Sequence, residues 1–127
     1  MHKDATGRHI YKGSYVVYAV TKGHSAGLKF GVVIALKERA YENSVYNSVT
    51  GTYNKVPATE YKIQIVSAAM NTYGPDKGKW YVQGKEEGKL GRPQTLDRLD
   101  RVIVLDDFQM HPEAKEALDR EMTERGS

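Results

Sequence analysis

Gly13-Ser14-Tyr15-Val16-Val17-Tyr18-Ala19-Val20 is the stretch on which the reading of the fold turns. A glycine launches it, and β-branched and aromatic residues fill it, the composition of a strand. Tyr15, Val17 and Ala19 fall on one face and Val16, Tyr18 and Val20 on the other. Both faces are largely apolar, so the strand is expected to be central or covered on both sides. Near the far end, Leu96-Asp97-Arg98-Leu99-Asp100-Arg101-Val102-Ile103-Val104-Leu105 answers it with a short polar turn feeding another strand. Together the two segments predict the opening and closing strands of a small closed β-barrel. Such a barrel works by presenting a surface, so the framework is more legible than the task.

Between them, residues 21–27 read as a polar loop bracketed by Gly23 and Gly27. Residues 28–39 form a second long strand, in which Phe30, Val32, Ile34 and Leu36 alternate with Lys29, Gly31, Val33 and Ala35. Gly31 in its interior predicts a bulge or bend. Residues 41–59 hold turn formers centred on Gly51 and read as a mobile hairpin tip, with disorder as the competing reading. Pro57 argues against a central strand there. Residues 60–69 alternate cleanly as a third, half-exposed strand. Residues 71–91 are turn-rich around a short strand at 79–83, which could pair back on 60–69 or on 90–96.

The tail changes character. Pro112 suits the first position of a helix, His111 before it serves as cap, and Glu113 and Glu116 favour its positive end. Ala114, Leu118 and Met122, with Ala117, make an apolar stripe at helical spacing. The stripe is too thin to hold a helix alone, so it packs on the barrel, on another chain, or frays.

With 127 residues the chain suits one domain, and 39% hydrophobic residues, nine of the aromatics being Tyr, allow a modest, partly aromatic core. No cysteine is present, so neither disulfides nor thiolate metal sites can staple it. The N-terminal residues lack the apolar core of a signal peptide, and the apolar runs are only strand length. A soluble cytoplasmic protein with no membrane association is the expectation. The net charge of +3 is unevenly spread: residues 1–104 carry +7 and residues 105–127 carry −4. A basic body with an acidic tail points to an anionic partner for the body, or to ordinary clustering on a solvated surface.

The strands at 14–20, 28–39 and 60–69, then Pro93-Gln94-Thr95-Leu96, the one-turn link at 97–100 and the last strand resemble the SH3-like small barrel. Gly7-Arg8-x-Ile10-x-x-Gly13-x-Tyr15-Val16-x-Tyr18, with Gly31-Val32-Val33, also resembles a group of small bacteriophage proteins of unassigned function. The resemblance spans about residues 7–105. Members of that group carry Asp at the position of Ser14, and loops shorter than 41–59 and 71–91. The resemblance implies a mainly β fold, an SH3-like barrel of five to seven antiparallel strands over residues 1–107, with long hairpin insertions at 41–59 and 71–91. An acidic C-terminal helix follows at 108–127. SH3-like barrels bind nucleic acid or peptides, or act as assembly modules, and the fold alone does not choose among these.

No catalytic constellation emerges. His2, His9, His24 and His111 lack metal-ligand spacing, and Lys22-Gly23-His24-Ser25 lacks the upstream glycine of a phosphate loop. Asp97, Asp100, Asp106 and Asp107, interleaved with Arg98 and Arg101, predict surface ion pairs rather than a carboxylate site. No cofactor is implied. The constellation that remains is basic residues among aromatics, the pairing that holds single-stranded nucleic acid through its phosphates and bases. Lys22, His24, Lys29, Lys77, Lys79 and Trp80 are the candidate contacts to DNA or RNA, against the plainer reading that the rings are core filler. The alternative is a module that binds a host or viral protein, with Ala114, Leu118 and Met122 as the docking stripe. A monomer and a homodimer both remain open.

Overall fold

The structure, a computed structural model, describes residues 1–22, 25–72, 74–86 and 88–126. It is mainly β: six strands, all antiparallel, and one C-terminal helix. β1 (Tyr15–Lys22), β2 (Ser25–Asn47), β3 (Thr52–Met70), β4 (Trp80–Val82), β5 (Gln94–Leu96) and β6 (Val102–Leu105) precede α1 (Pro112–Gly126). The sheet runs β4-β3-β2-β1-β6, and β5 lies beside β3 in line with β4. The opening and closing strands pair as expected, Tyr15 opposite Leu105 and Tyr18 opposite Val102. A single turn at Leu99–Arg101 feeds β6. Among the described residues β6 pairs only with β1, so the sheet is open rather than a ring of strands.

Each face of the sheet has its own core; β1 buries Val16 and Tyr18 in one and reaches the other only through Tyr15, with Ala19 exposed. Val16 and Tyr18 join Ile10, Val33, Ile63, Ile65, Val102 and Val104 in one cluster. On the other face Val32, Val66, Ala68 and Val82 meet Met110 and the helix, with Tyr15, Phe30, Trp80 and Leu105 at the margin. The helix starts as the sequence predicts, Pro112 in its first turn and the Glu113 amide donating to His111 Nδ1 at 3.3 Å. Of its stripe, Ala114, Ala117 and Leu118 are buried and Met122 packs at the margin, all in that second cluster. The docking residues read from sequence therefore lie under the helix, against this chain's own sheet.

Three sequence expectations change. The 21–27 loop shrinks, because pairing runs out to Lys22 opposite Ser25; residues 23 and 24 lie outside the described residues. Residues 41–59 are a continuation of β2 and β3, paired in unbroken register from Lys37–Lys62 to Asn47–Thr52, with Gly51 at φ 68° in the turn. Pro57 sits inside β3 opposite Glu42. It is tolerated because no strand other than β2 pairs with β3 there, so no further ladder needs its missing N–H. The irregularity of β2 falls between Val33 and Ala35, not at Gly31. Gly31 serves a close approach instead, since a Cβ there would stand 3.1 Å from both Ile65 Cδ1 and the Val66 carbonyl. The short strand at 79–83 takes the first of its two options, Trp80 to Val82 pairing with Met70 to Ala68.

The chain covers one sheet edge itself. Ala5 N–H donates to the Val102 carbonyl at 2.8 Å, Val104 N–H donates to Asp4 Oδ2 at 2.7 Å, and Arg8 Nη1 donates to the Val104 carbonyl at 3.2 Å. These bonds occupy the edge of β6 and tie the N-terminus to the last strand.

Candidate functional site

Antiparallel order brings the end of β1, the start of β2, the end of β3 and the start of β4 to one end of the sheet. Lys22 stands opposite Ser25 at this end, and residues 71–79 join β3 to β4 at the same end. The β3–β4 connection is a built loop. Asn71 N–H donates to the Lys79 carbonyl at 2.9 Å and Gly78 N–H to the Asn71 carbonyl at 2.8 Å, with Gly74 and Gly78 at φ 85° and 89°. At those angles only glycine sits without strain.

The fold thus gathers four of the six candidate positions at this end: Lys22, Lys77, Lys79 and Trp80. Lys77 and Lys79 are exposed, and Lys79 Nζ lies 3.3 Å from Asp76 Oδ1. His24 lies outside the described residues, as does the side chain of Lys22. Lys29 sits further along β2, opposite Tyr18 and half-buried, its Nζ donating to Gln83 Oε1 at 3.3 Å. That oxygen also accepts from Ser67 Oγ at 2.8 Å and Gln94 Nε2 at 3.2 Å, while Tyr18 OH donates to Gln94 Oε1 at 3.1 Å. Lys29 is accordingly half anchored in a polar network.

Trp80 departs most from its expected part. Its ring meets Phe30 edge-on at 5.9 Å and His111 at 4.9 Å, at the margin of the second core. It is a half-buried wall beneath the helix rather than an open stacking platform. Its Nε1 is buried with no hydrogen-bond partner among the described residues.

The acidic helix does not neutralise the basic end. Its ion pairs among the described residues go to Lys85, Lys115 and Arg125, none to Lys29, Lys77 or Lys79. Of the four aspartates near the last strand, Asp100 takes two bonds from Arg98 at 3.0 and 3.1 Å and Asp106 pairs with Arg8 at 2.9 Å. Asp100 pairs with an interleaved arginine as the sequence predicts, whereas the partner of Asp106 comes from the N-terminal segment.

Two buried carboxylates escaped sequence reasoning. Asp4 accepts from the Thr6 hydroxyl and from the amides of Thr6, Arg8 and Val104 at 2.7–2.9 Å. Glu121 accepts Gly91 N–H at 2.7 Å and Lys85 Nζ and Arg125 Nε at 3.0 Å each. Burial pushes both pKa values up, but these donors outweigh it and hold each carboxyl below its usual value. Position 121 stands three residues after Leu118 and four after Ala117, so a charge inside the apolar row was the available signal. Asp4 carried none.

Elsewhere an open groove of about 630 Å³ runs beside β6, lined by Arg8, Tyr11, Tyr15, Leu105 and Phe108 among others. Among the described residues no three or more His, Asp or Glu side chains gather as a metal site, and no helix is long and apolar enough to cross a membrane. In comparison with known proteins, the chain matches no family model, no curated protein and no solved structure.

Proposed function

We propose that this protein is a non-enzymatic binding module that contacts nucleic acid through the basic end of its sheet. The observation that carries this reading is the convergence of Lys22, Lys77 and Lys79 on one sheet end, with Lys29 behind them and no helix carboxylate paired to the described lysines. Cations gathered at one sheet end suit phosphates, and residues 1–104 hold a net +7 to steer an anionic partner. The proposal includes an SH3-like barrel of the small-phage-protein kind, acting in the cytoplasm. It is supported by the pairing of β1 with β6 and by the one-turn link before β6.

Contact is expected to run through phosphate more than through stacked bases, because Trp80 is committed to the core. Titrating the protein with labelled single-stranded DNA and RNA at low and moderate salt tests this. Binding that weakens as salt rises, with a log–log slope of roughly −2 for three phosphate contacts, supports it. Absence of binding at low salt removes it.

A further inference from the structure

We infer that β2 offers its free edge to a second copy of this chain, so that two molecules pair antiparallel about Ser44 into a two-fold dimer. Beyond Lys37 and Lys62, β2 and β3 pair only with each other. They form a ribbon of about 34 Å, from ten steps of about 3.4 Å each. Such a two-stranded arm is marginal in water unless something covers it. It also exposes a run of apolar side chains, Tyr41, Val45, Tyr46, Val49, Tyr53 and Val56, with Val49 92% and Tyr53 72% exposed. Tyr41, Val45 and Val56 fall on one face of the ribbon and Tyr46 and Tyr53 on the other, so the strand edge rather than one face carries the contact.

Charge separates the possible occupants. The twelve residues 43–54 at the end of the arm carry no charge, and the arm's charges (Lys37, Glu38, Arg39, Glu42, Lys55, Glu60 and Lys62) lie nearer its base. An uncharged tip gives phosphates nothing to hold, whereas it meets its own copy without repulsion.

The edges narrow the choice further. The N-terminus covers the edge of β6, and the β3 edge of the arm contains Pro57. Beyond the Lys37 carbonyl, which His2 Nε2 bonds at 2.7 Å, the β2 edge has neither device from Glu38 to Asn47, and a bare edge is a template for another strand. A two-fold axis at Ser44 sets Tyr41 opposite Asn47 of the second copy, Glu42 opposite Tyr46 and Asn43 opposite Val45. No like charges meet. An axis at Arg39 or Glu42 would set that charge against itself.

Sedimentation of the full chain across the micromolar range tests the dimer. The wild type is expected to be dimeric, and the Asn43→Lys/Val45→Lys pair, which sets lysines opposite each other only in the dimer, is expected to weaken association at least about tenfold. A wild type that stays monomeric overturns the inference. So does a dimer that the double variant leaves unchanged. Because the chain has no cysteine, Ser44→Cys gives a second reading that does not depend on destabilising anything. With oxidised glutathione as oxidant, Ser44→Cys is expected to form a covalent dimer far faster than Glu86→Cys at an exposed turn. Equal rates overturn the arrangement about Ser44.

Discussion

Glu121 has no exposed surface, yet it remains a carboxylate because three donors from three places converge on it. Gly91 N–H comes from the loop before β5, Lys85 from the turn after β4 and Arg125 from the helix itself. Arg125 also bonds the Gly91 carbonyl, so the helix end and this loop are latched together. Asp4 does the same for the N-terminus and β6. Both carboxyls are held below their usual pKa in the folded protein, so in acid the unfolded chain binds protons more readily. Their contribution to stability is therefore complete above the unfolded range near pH 4, and is lost as pH falls through the folded values. At neutral pH Glu121→Gln is expected to cost about 2 kcal/mol, since the neutral amide weakens the bonds from Gly91, Lys85 and Arg125, although Lys85 keeps Glu124 at 2.6 Å. It should also flatten the fall in stability below about pH 4. Urea unfolding at several pH values reads both, and an unchanged midpoint would deny the latch. Gly91 is constrained by space alone, because a Cβ there would lie 2.4 Å from Val82 Cγ1 and 2.9 Å from Val66 Cγ1. Gly91→Ala is expected to cost about 1–3 kcal/mol by overpacking, seen as a lower melting temperature.

At the scale of elements, what was legible in the sequence is what local chemistry decides. The two-sided apolar pattern of residues 14–20, the polar turn before residues 102–105 and the Pro112 helix start each carry their own signal, and each stands in the structure. What was not legible depends on neighbours that no local pattern names. Pro57 argues against a central strand, and β3 has only one neighbour there, but no local pattern showed that an edge strand would run through it. The Ala114/Leu118/Met122 stripe reads equally well as a face for a partner or for the chain's own sheet, and the sheet takes it. Leu118 is fully buried there, so Leu118→Ala is expected to cost about 2–4 kcal/mol. It should leave the oligomeric state unchanged, with sedimentation and urea unfolding as paired readouts. A variant of full stability but altered assembly would return the helix to the role of a docking element.

For the whole molecule, sequence reasoning reached the candidate lysines but not their roles. Charge counting found Lys22, Lys29, Lys77 and Lys79, and antiparallel strand order explains why residues 22 and 77, far apart in sequence, share one sheet end. It could not foresee that Trp80 turns inward beneath the helix or that Lys29 is tied to Gln83, because both depend on packing at long range. The protein then has a basic end, two cores that fix it, and an uncharged arm formed by β2 and β3. The central claim is that the basic end holds phosphate. Comparing the wild type with Lys22→Glu/Lys77→Glu for affinity to a short single-stranded oligonucleotide, across a salt series, tests it most directly. The wild type is expected to bind with a salt slope near −2, and the variant to lose at least about tenfold in affinity and roughly two thirds of the slope. Equal affinity and equal slope in the two proteins would contradict the claim.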